Sequence, residues 1–256
     1  MFRNLIKAIS LPLFLGLPLV ACTNVNSTTI KFSAKAIQKV CEIPLPAGYS
    51  RVVYDSASFS YWLQQFALKS DPTVYLYNGD RKRNQWPSFA VLNISTGNKD
   101  LQQCADAVMR LRAEYLYEKK TKGPILFFDN NRKEYRFSVT GSRTEFNKYL
   151  EHVFSWCGTL SLASQLKAKK SLEAIRPGDV FIKGGSPGHA AMVMDVAENN
   201  AGDKIFLLMN SYMPAQDMHI VKNPSSSTLS PCYSIRQKPR FELPEWVFYE
   251  NQLMEW

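Results

Sequence analysis

The sequence predicts an α+β fold in which helices pack on an antiparallel sheet. Segments with helical spacing of apolar residues occur beside short apolar runs that are typical of strands. The two kinds of segment do not alternate in the regular order of parallel βαβ units. Hydrophobic residues make up 45% of the 256 residues, which is a composition typical of a chain that packs a core. No internal repeat is visible.

The individual elements follow from apolar spacing and from turn residues. Helices are predicted at residues 58–68, 100–118 and 144–166, the last with an interruption at Gly158. Strands are predicted at residues 51–54, 74–77, 89–94, 125–128, 135–139, 179–182, 189–196 and 204–210. Asp100 or Asn98 is the expected N-cap of the longest helix.

Residues 1–21 have the layout of a secretory signal. Arg3 and Lys7 precede an apolar segment at 11–20 that is short and interrupted by proline. Such a segment is too short to be a membrane-spanning helix. We therefore expect export of the chain.

The end of this segment, Leu19-Val20-Ala21-Cys22, resembles the lipobox of bacterial lipoproteins, whose cysteine becomes the lipidated first residue. The alternative is an ordinary signal peptide in which Cys22 is incidental. The polar residues that follow suit a short tether. We expect a lipoprotein signal peptide at 1–21, lipidation at Cys22, a tether at 22–35 and a single domain at 36–256.

The charge balance favours an anionic partner. Without Arg3 and Lys7, 29 basic residues stand against 22 acidic ones, which gives a net charge of +7. The basic residues are scattered and no basic run is interleaved with stacking aromatics, so nucleic acid is not expected as a partner. We expect contact with the membrane through the lipid anchor, and peptidoglycan or another anionic polymer as partner. The expected location is the bacterial cell envelope, facing the periplasm and, because Thr23 carries no retention charge, on the outer membrane.

The most informative segment lies at residues 177–195. Pro177-Gly178-Asp179 opens a short apolar run, a turn of Gly, Ser and Pro follows, and His189 stands at the head of a second apolar run. A histidine fixed at the start of a strand beside a glycine turn is well placed to act as a base.

A base of this kind needs a nucleophile, and the cysteines are the candidates. Cys104 is expected in the first or second turn of its helix, where the positive end of the macrodipole lowers a thiol pKa. It also shares a face with Leu101 and Val108, so an inert core role remains open. Cys157 is the alternative nucleophile, although its face with Val153 favours packing.

The other two cysteines of the mature chain, Cys41 and Cys232, lie near opposite ends of the domain in proline-flanked segments. They are the expected disulfide pair if one forms. The sequence has no CxxC pair and no ligand-spaced Cys/His cluster, so we expect no metal and no cofactor. Asp195 and His219 are expected to be ordinary exposed residues.

The third member of the candidate site comes from a predicted hairpin. Strands 189–196 and 204–210 are joined by a turn-rich connector. Folding the hairpin sets His189 opposite Ser211, with Asn210 beside it. A polar side chain there can accept a hydrogen bond from the histidine and fix its tautomer, so Asn210 is the candidate orienting residue.

These segments together resemble a known superfamily. The run Pro-Gly-Asp-Val-Phe-Ile, the Gly/Ser/Pro turn and Gly-His-Ala-Ala-Met-Val-Met are similar to the histidine strand of NlpC-type and CHAP-type papain-like peptidases, and Gln103-Cys104 is similar to the cysteine helix of the CHAP type. The resemblance implies a papain-like core with N-terminal additions and a catalytic set of Cys104, His189 and Asn210. The separation of 85 positions from Cys104 to His189 implies an insertion, and Cys157 lies nearer the NlpC-type spacing.

More extended blocks at residues 100–116, 184–190 and 211–217 look like an uncharacterised family of bacterial envelope lipoproteins. The resemblance covers nearly the whole mature chain, but this family has no assigned activity, so the resemblance implies none. Two functions are therefore expected. The first is a thiol hydrolase, an amidase or peptidase acting on cell-wall peptides. The alternative is a non-catalytic envelope lipoprotein that binds cell-wall peptide or a protein partner.

Overall fold

The computed structural model describes residues 37–256 and builds them around a nine-stranded sheet that is antiparallel throughout. The predicted signal segment, Cys22 and the tether lie outside the described residues. The order along the sheet is β2-β9-β8-β7-β6-β13-β5, with β1 on the end of β7 and β10 on the end of β8. Two separate hairpins, β3–β4 and β11–β12, complete the strands of the described part.

The strands are β1 (Tyr49–Arg51), β2 (Ser88–Val91), β3 (Ile125–Phe128), β4 (Glu134–Phe137), β5 (Lys167–Ala168), β6 (Val180–Lys183), β7 (His189–Asn199), β8 (Lys204–Asn210), β9 (His219–Val221), β10 (Tyr233–Ser234), β11 (Arg240–Glu242), β12 (Val247–Tyr249) and β13 (Leu253–Glu255). The helices are α1 (Phe59–Gln64), α2 (Cys104–Glu118), α3 (Arg143–Trp156) and α4 (Thr159–Gln165). The α+β class and the antiparallel pairing agree with the prediction.

Residues at the helix starts explain where three of these helices begin. The Ser58 side chain accepts a hydrogen bond from the backbone N–H of Tyr61 at the start of α1. Ser142 and Glu145 form a reciprocal capping box at the start of α3. In α2 the Asp106 carboxylate accepts the backbone N–H of Gln103, so the helix begins at Cys104. The predicted N-caps of α2, Asp100 and Asn98, were therefore wrong.

Both faces of the sheet are buried. On one face, α1–α4 and the sheet enclose a helix-side cluster that includes Leu111, Leu150 and Met192. On the other face, β11–β12 and the segments around it enclose a hairpin-side cluster that includes Phe206 and Phe248. Side chains alternate between the two clusters along the strands, and neither set meets water. This explains why β7 and β8 are continuous apolar runs in the sequence.

Several predicted bounds changed. The strand predicted at 51–54 is found at β1, and the strand predicted at 74–77 is reduced to single bridges from Tyr75 and Leu76. The hairpin β3–β4 and the helix break at Gly158 were predicted correctly. Among residues 37–256 no helix is both long and apolar enough to cross a membrane.

Candidate active site

A cleft of about 450 Å³ opens where the start of α2, the junction of α3 with α4, and the loop before β7 come together. Cys104, Cys157 and His189 all reach it. The other lining residues come from these same elements and from the segments after β8 and β11: Asp100, Leu101, Gln103, Ala105, Asp106, Phe154, Gly158, Thr159, Gly185, Ser186, Pro187, Gly188, Tyr212, Met213 and Trp246. The structure therefore brings the predicted nucleophile and base to one cavity.

Cys104 is the first residue of α2. Burial raises the pKa of its thiol to about 11, while hydrogen bonding from the backbone N–H groups of Ala105 and Ala190 acts in the opposite direction. Because Ala190 directly follows His189, the sulfur lies against the start of β7. The N-terminus of this 15-residue helix, the positive end of its macrodipole, lies at the same position.

His189 opens β7 and is almost fully buried, with 1% of its surface exposed. Its ring contacts Tyr212, Trp246 and Phe248 at centroid distances of 5.0, 5.1 and 5.8 Å. Burial lowers the pKa of His189 to about 3, and the neighbouring His219 contributes in the same direction. The imidazole is therefore neutral across the physiological pH range.

The loop before β7 explains why a glycine precedes the histidine. A Cβ on Gly188 would lie 2.3 Å from both the Gly185 carbonyl oxygen and the Thr159 Oγ1. Thr159, the first residue of α4, also donates its hydroxyl hydrogen to that Gly185 carbonyl. The absence of a side chain at Gly188 thus lets the loop close on α4, which fixes the position of His189 at the rim of the cleft.

Asn210 lies beside His189, as the hairpin predicts. The register pairs Met192 with Met209, and Asn210 Nδ2 is 3.3 Å from His189 Nε2. This contact occupies one ring nitrogen, and the other, Nδ1, makes no hydrogen bond among the described residues. Among the described residues no hydrogen bond joins the Cys104 sulfur to the His189 ring, so thiol and imidazole face the same cavity as two separate neutral groups.

The family model described as Domain of unknown function (4846) matches residues 40–140 and 136–255. The chain belongs to this family. The two matches span almost all of the described residues, including the whole cleft. Comparison with curated proteins and with solved structures gave no match. The expectation of an uncharacterised family is confirmed, and the description of the family assigns no function to it.

The second cysteine of this domain's cleft, Cys157, lies between α3 and α4 and not inside one continuous helix. Its backbone N–H ends α3 by donating to the Val153 carbonyl oxygen at 2.7 Å. Leu160, which a continuous helix would put on the same face as Val153 and Cys157, is 54% exposed because the chain turns at Gly158. Burial raises the pKa of the Cys157 thiol to about 12, with Asp129 and Asp106 adding to the shift.

Cys41 and Cys232 do not form the expected disulfide in this structure. All four cysteines of the described residues are free thiols. Cys232 is buried in the helix-side cluster, and the Cys41 sulfur accepts a contact from Gln65 Nε2 at 3.5 Å. The two sulfur atoms therefore lie in different surroundings and are not bonded to each other.

Asp195 and His219 are buried, which contradicts the expectation that both are exposed. Asp195 accepts hydrogen bonds from Arg51 Nε at 2.7 Å and from Gln64 Nε2 at 2.8 Å. Asp195 and His219 are buried because both faces of the sheet are covered by other parts of the protein. Side chains that alternate along β7 and β9 therefore point into the interior on either face.

Sequence reasoning missed three residues that shape the domain's cleft. Trp246 and Tyr212 form its aromatic wall against His189; the only signal for Trp246 is an apolar patch 57 residues further along the chain. Asp106 is buried in the first turn of α2, its Oδ1 has no hydrogen-bond partner among residues 37–256, and burial raises its pKa well above the usual range. Within residues 37–256 no group of three His, Cys, Asp or Glu side chains is arranged to hold a metal ion.

Proposed function

We propose that this domain is a thiol hydrolase that cleaves amide or ester bonds, with Cys104 as nucleophile, His189 as base and Asn210 as the residue that orients the base. The observation that carries the proposal is the shared cleft. It has a cysteine at a helix N-terminus on one side and, on the other, a neutral histidine held by an amide. The papain-like assignment of the core is part of the same proposal.

The proposed first step is proton transfer and attack in concert. In this step the Asn210 amide is turned so that its oxygen accepts from His189 Nε2–H, which leaves the lone pair of the ring on Nδ1. The Cys104 Sγ–H proton passes to Nδ1 while the sulfur forms a bond to the substrate carbonyl carbon. The imidazolium then gives this proton to the leaving amine or alcohol as its bond to carbon breaks. Water hydrolyses the resulting thioester, releasing the acid and restoring the thiol.

The start of α2 supplies the groups that favour such a step. Backbone N–H groups at the helix N-terminus can donate to the carbonyl oxygen as it becomes negative. The two pKa values, about 11 for the thiol and about 3 for the imidazole, make proton transfer alone strongly unfavourable, so in this proposal it is driven by formation of the sulfur–carbon bond in the same step. These values favour neutral partners over a resting thiolate–imidazolium pair. As an isolated thiol, Cys104 would be only about one part in ten thousand thiolate at pH 7.

The proposed substrates are peptides of the cell wall. A cleft of about 450 Å³ is large enough to enclose two or three residues of an extended peptide. The net charge of the mature chain, +7, suits an anionic polymer. The predicted lipid anchor at Cys22 would hold the domain at the membrane surface, within reach of that polymer.

The test is reaction with iodoacetamide, with the labelled cysteine located by peptide mass spectrometry. Wild type and Cys157→Ala should label at Cys104, and Cys104→Ala should lose the label. His189→Ala should slow labelling of Cys104 at pH 7 by at least about tenfold, because it removes the base. Unchanged labelling of Cys104 in His189→Ala would refute the pairing of base and nucleophile. Release of peptide fragments from purified cell wall by wild type, but not by Cys104→Ala, then tests the substrate.

The separation of thiol and imidazole favours one other function, a binding domain that uses the cleft without catalysis. Two observations support a binding function: no hydrogen bond joins Cys104 to His189 among the described residues, and burial raises the pKa of the Cys104 thiol. This function predicts that Cys104→Ala binds cell-wall peptide as tightly as wild type and that neither protein cleaves it.

A further inference from the structure

A row of buried polar side chains crosses three neighbouring strands behind the cleft. His189 begins β7, Asn210 ends β8 and His219 begins β9. Each is at most 1% exposed. Alternation along the strands puts all three on the sheet face of the hairpin-side cluster, as the contact of the His189 ring with Phe248 shows.

The hydrogen bonding of His219 defines its tautomer. Its Nδ1 lies 2.9 Å from the Asp217 carbonyl oxygen. A carbonyl oxygen only accepts hydrogen bonds, so Nδ1 carries the hydrogen and Nε2 of the neutral ring has a free lone pair. Burial lowers the pKa of His219 to about 4, which keeps the ring neutral at physiological pH. The Nε2 atom is buried and has no partner among the described residues.

Asn210 also has one buried polar atom without a hydrogen-bond partner among the described residues. Its Nδ2 approaches His189 Nε2, while its Oδ1 is buried and has no partner among the described residues. Asn210 and His219 are directly paired across β8 and β9, which brings such side chains to Cβ separations of about 5 Å. Rotation of the amide by 180° exchanges its oxygen and nitrogen. Oδ1 then accepts from His189 Nε2–H, and Nδ2 takes the place of Oδ1. Because that position is not within hydrogen-bonding geometry of His219 as it stands, a small rotation of the Asn210 side chain is needed to bring the Nδ2 N–H to the lone pair of His219 Nε2.

We propose that His219 is a positioning residue that fixes the Asn210 amide in this orientation. The proposed chain of hydrogen bonds runs from the Asp217 carbonyl oxygen through His219 and Asn210 to His189. It leaves His189 with its hydrogen on Nε2 and its lone pair on Nδ1, the ring nitrogen that makes no hydrogen bond among the described residues. One tautomer of His189 is thereby selected by a residue two strands away. The use of that lone pair to deprotonate Cys104 rests on the proposed function, whereas the tautomer does not.

The experiment is NMR of the protein labelled with ¹⁵N at histidine and asparagine, at pH 8. In wild type, His189 should be in the Nε2–H tautomer, and a coupling should connect Asn210 Nδ2 to His219 Nε2 across their hydrogen bond. An Nδ1–H tautomer of His189 overturns the proposal. So does absence of the coupling, as when a water molecule bridges the two side chains. Both measurements use wild type alone and do not depend on any variant folding.

Two variants then test whether His219 is the cause of the His189 tautomer. His219→Gln keeps an acceptor for Asn210 Nδ2 and should keep the His189 tautomer. His219→Leu removes that acceptor and should lower the ratio of Nε2–H to Nδ1–H tautomers about tenfold, the effect of one buried hydrogen bond. Equal tautomer ratios in wild type and His219→Leu would overturn the positioning role. If the tautomers respond as expected while His189→Ala leaves Cys104 labelling unchanged, the hydrolase proposal fails and the positioning role of His219 stands.

Discussion

Two buried imidazoles should make the free energy of unfolding fall as the pH drops below 6.5. Burial lowers the pKa of His189 from 6.5 to about 3 and that of His219 from 6.5 to about 4. The unfolded chain takes up these protons near pH 6.5, whereas the folded protein takes them up only near pH 3 to 4. The contribution of each ring to stability is therefore complete above pH 6.5 and is lost as the pH falls toward the folded pKa.

The size of the loss follows from linkage. At pH 5 each imidazole lowers the free energy of unfolding by about 2 kcal/mol relative to pH 8. The buried carboxyl of Asp179 acts in the opposite direction, because burial raises its pKa to about 6. The folded protein binds that proton more tightly than the unfolded chain, which returns about 1 kcal/mol at pH 5. Wild type should then lose about 3 kcal/mol between pH 8 and pH 5 from these three groups.

The measurement is urea unfolding followed by tryptophan fluorescence at pH 8, 6.5 and 5. His189→Phe keeps an aromatic ring against Phe248 and removes the titrating group, so its loss between pH 8 and pH 5 should be about 2 kcal/mol smaller than that of wild type. His219→Gln should show the same reduction. His152→Gln, at an exposed position, is the control and should follow wild type. A pH dependence of His189→Phe parallel to that of wild type would refute the burial argument.

Two further predictions concern packing and charge. Gly188→Ala should destabilise the domain by about 1–3 kcal/mol, because the new Cβ would lie 2.3 Å from Gly185 O and Thr159 Oγ1. Gly158→Ala is the control in the same urea assay, because no described residue outside its immediate chain neighbours lies within 4 Å of the added Cβ. Equal stability of the two variants would contradict the steric argument. Arg51→Leu should cost about 3 kcal/mol at pH 7, since it leaves the buried Asp195 carboxylate without its cation. Arg51→Leu with Asp195→Asn should recover part of this loss, and no recovery in the double variant would show that the cost lies in Arg51 packing.

The central hairpin could be predicted from sequence because its signals are local. Turn residues bound β7 and β8, and folding their connector brings Asn210 beside His189 without knowledge of the rest of the chain. The start of α2 was placed a few residues early, because Asp100 is a good N-cap by residue type. The actual helix start uses Asp106 from inside the helix.

The buried polar residues could not be predicted in the same way. Alternation of apolar and polar residues reports burial only when one face of a sheet meets water. Here α1–α4 cover one face and β11–β12 the other, so Asp195 and His219 lie inside a sheet whose sequence shows no polar side. Trp246 reaches His189 through a tertiary contact between distant segments. No spacing rule connects two such positions in a single sequence.

The place of β13 in the sheet has a consequence for the time course of folding. This strand, Leu253–Glu255, lies between β6 and β5, although about 70 residues separate it from β6 along the chain. As the chain emerges from its N-terminal end, β5 and β6 appear long before the strand that joins them, and their facing edges stay unpaired until it arrives. We therefore expect sheet closure at β13 to be a late and slow event. A chaperone that binds extended segments would find its target at the open edge of β6 during this interval.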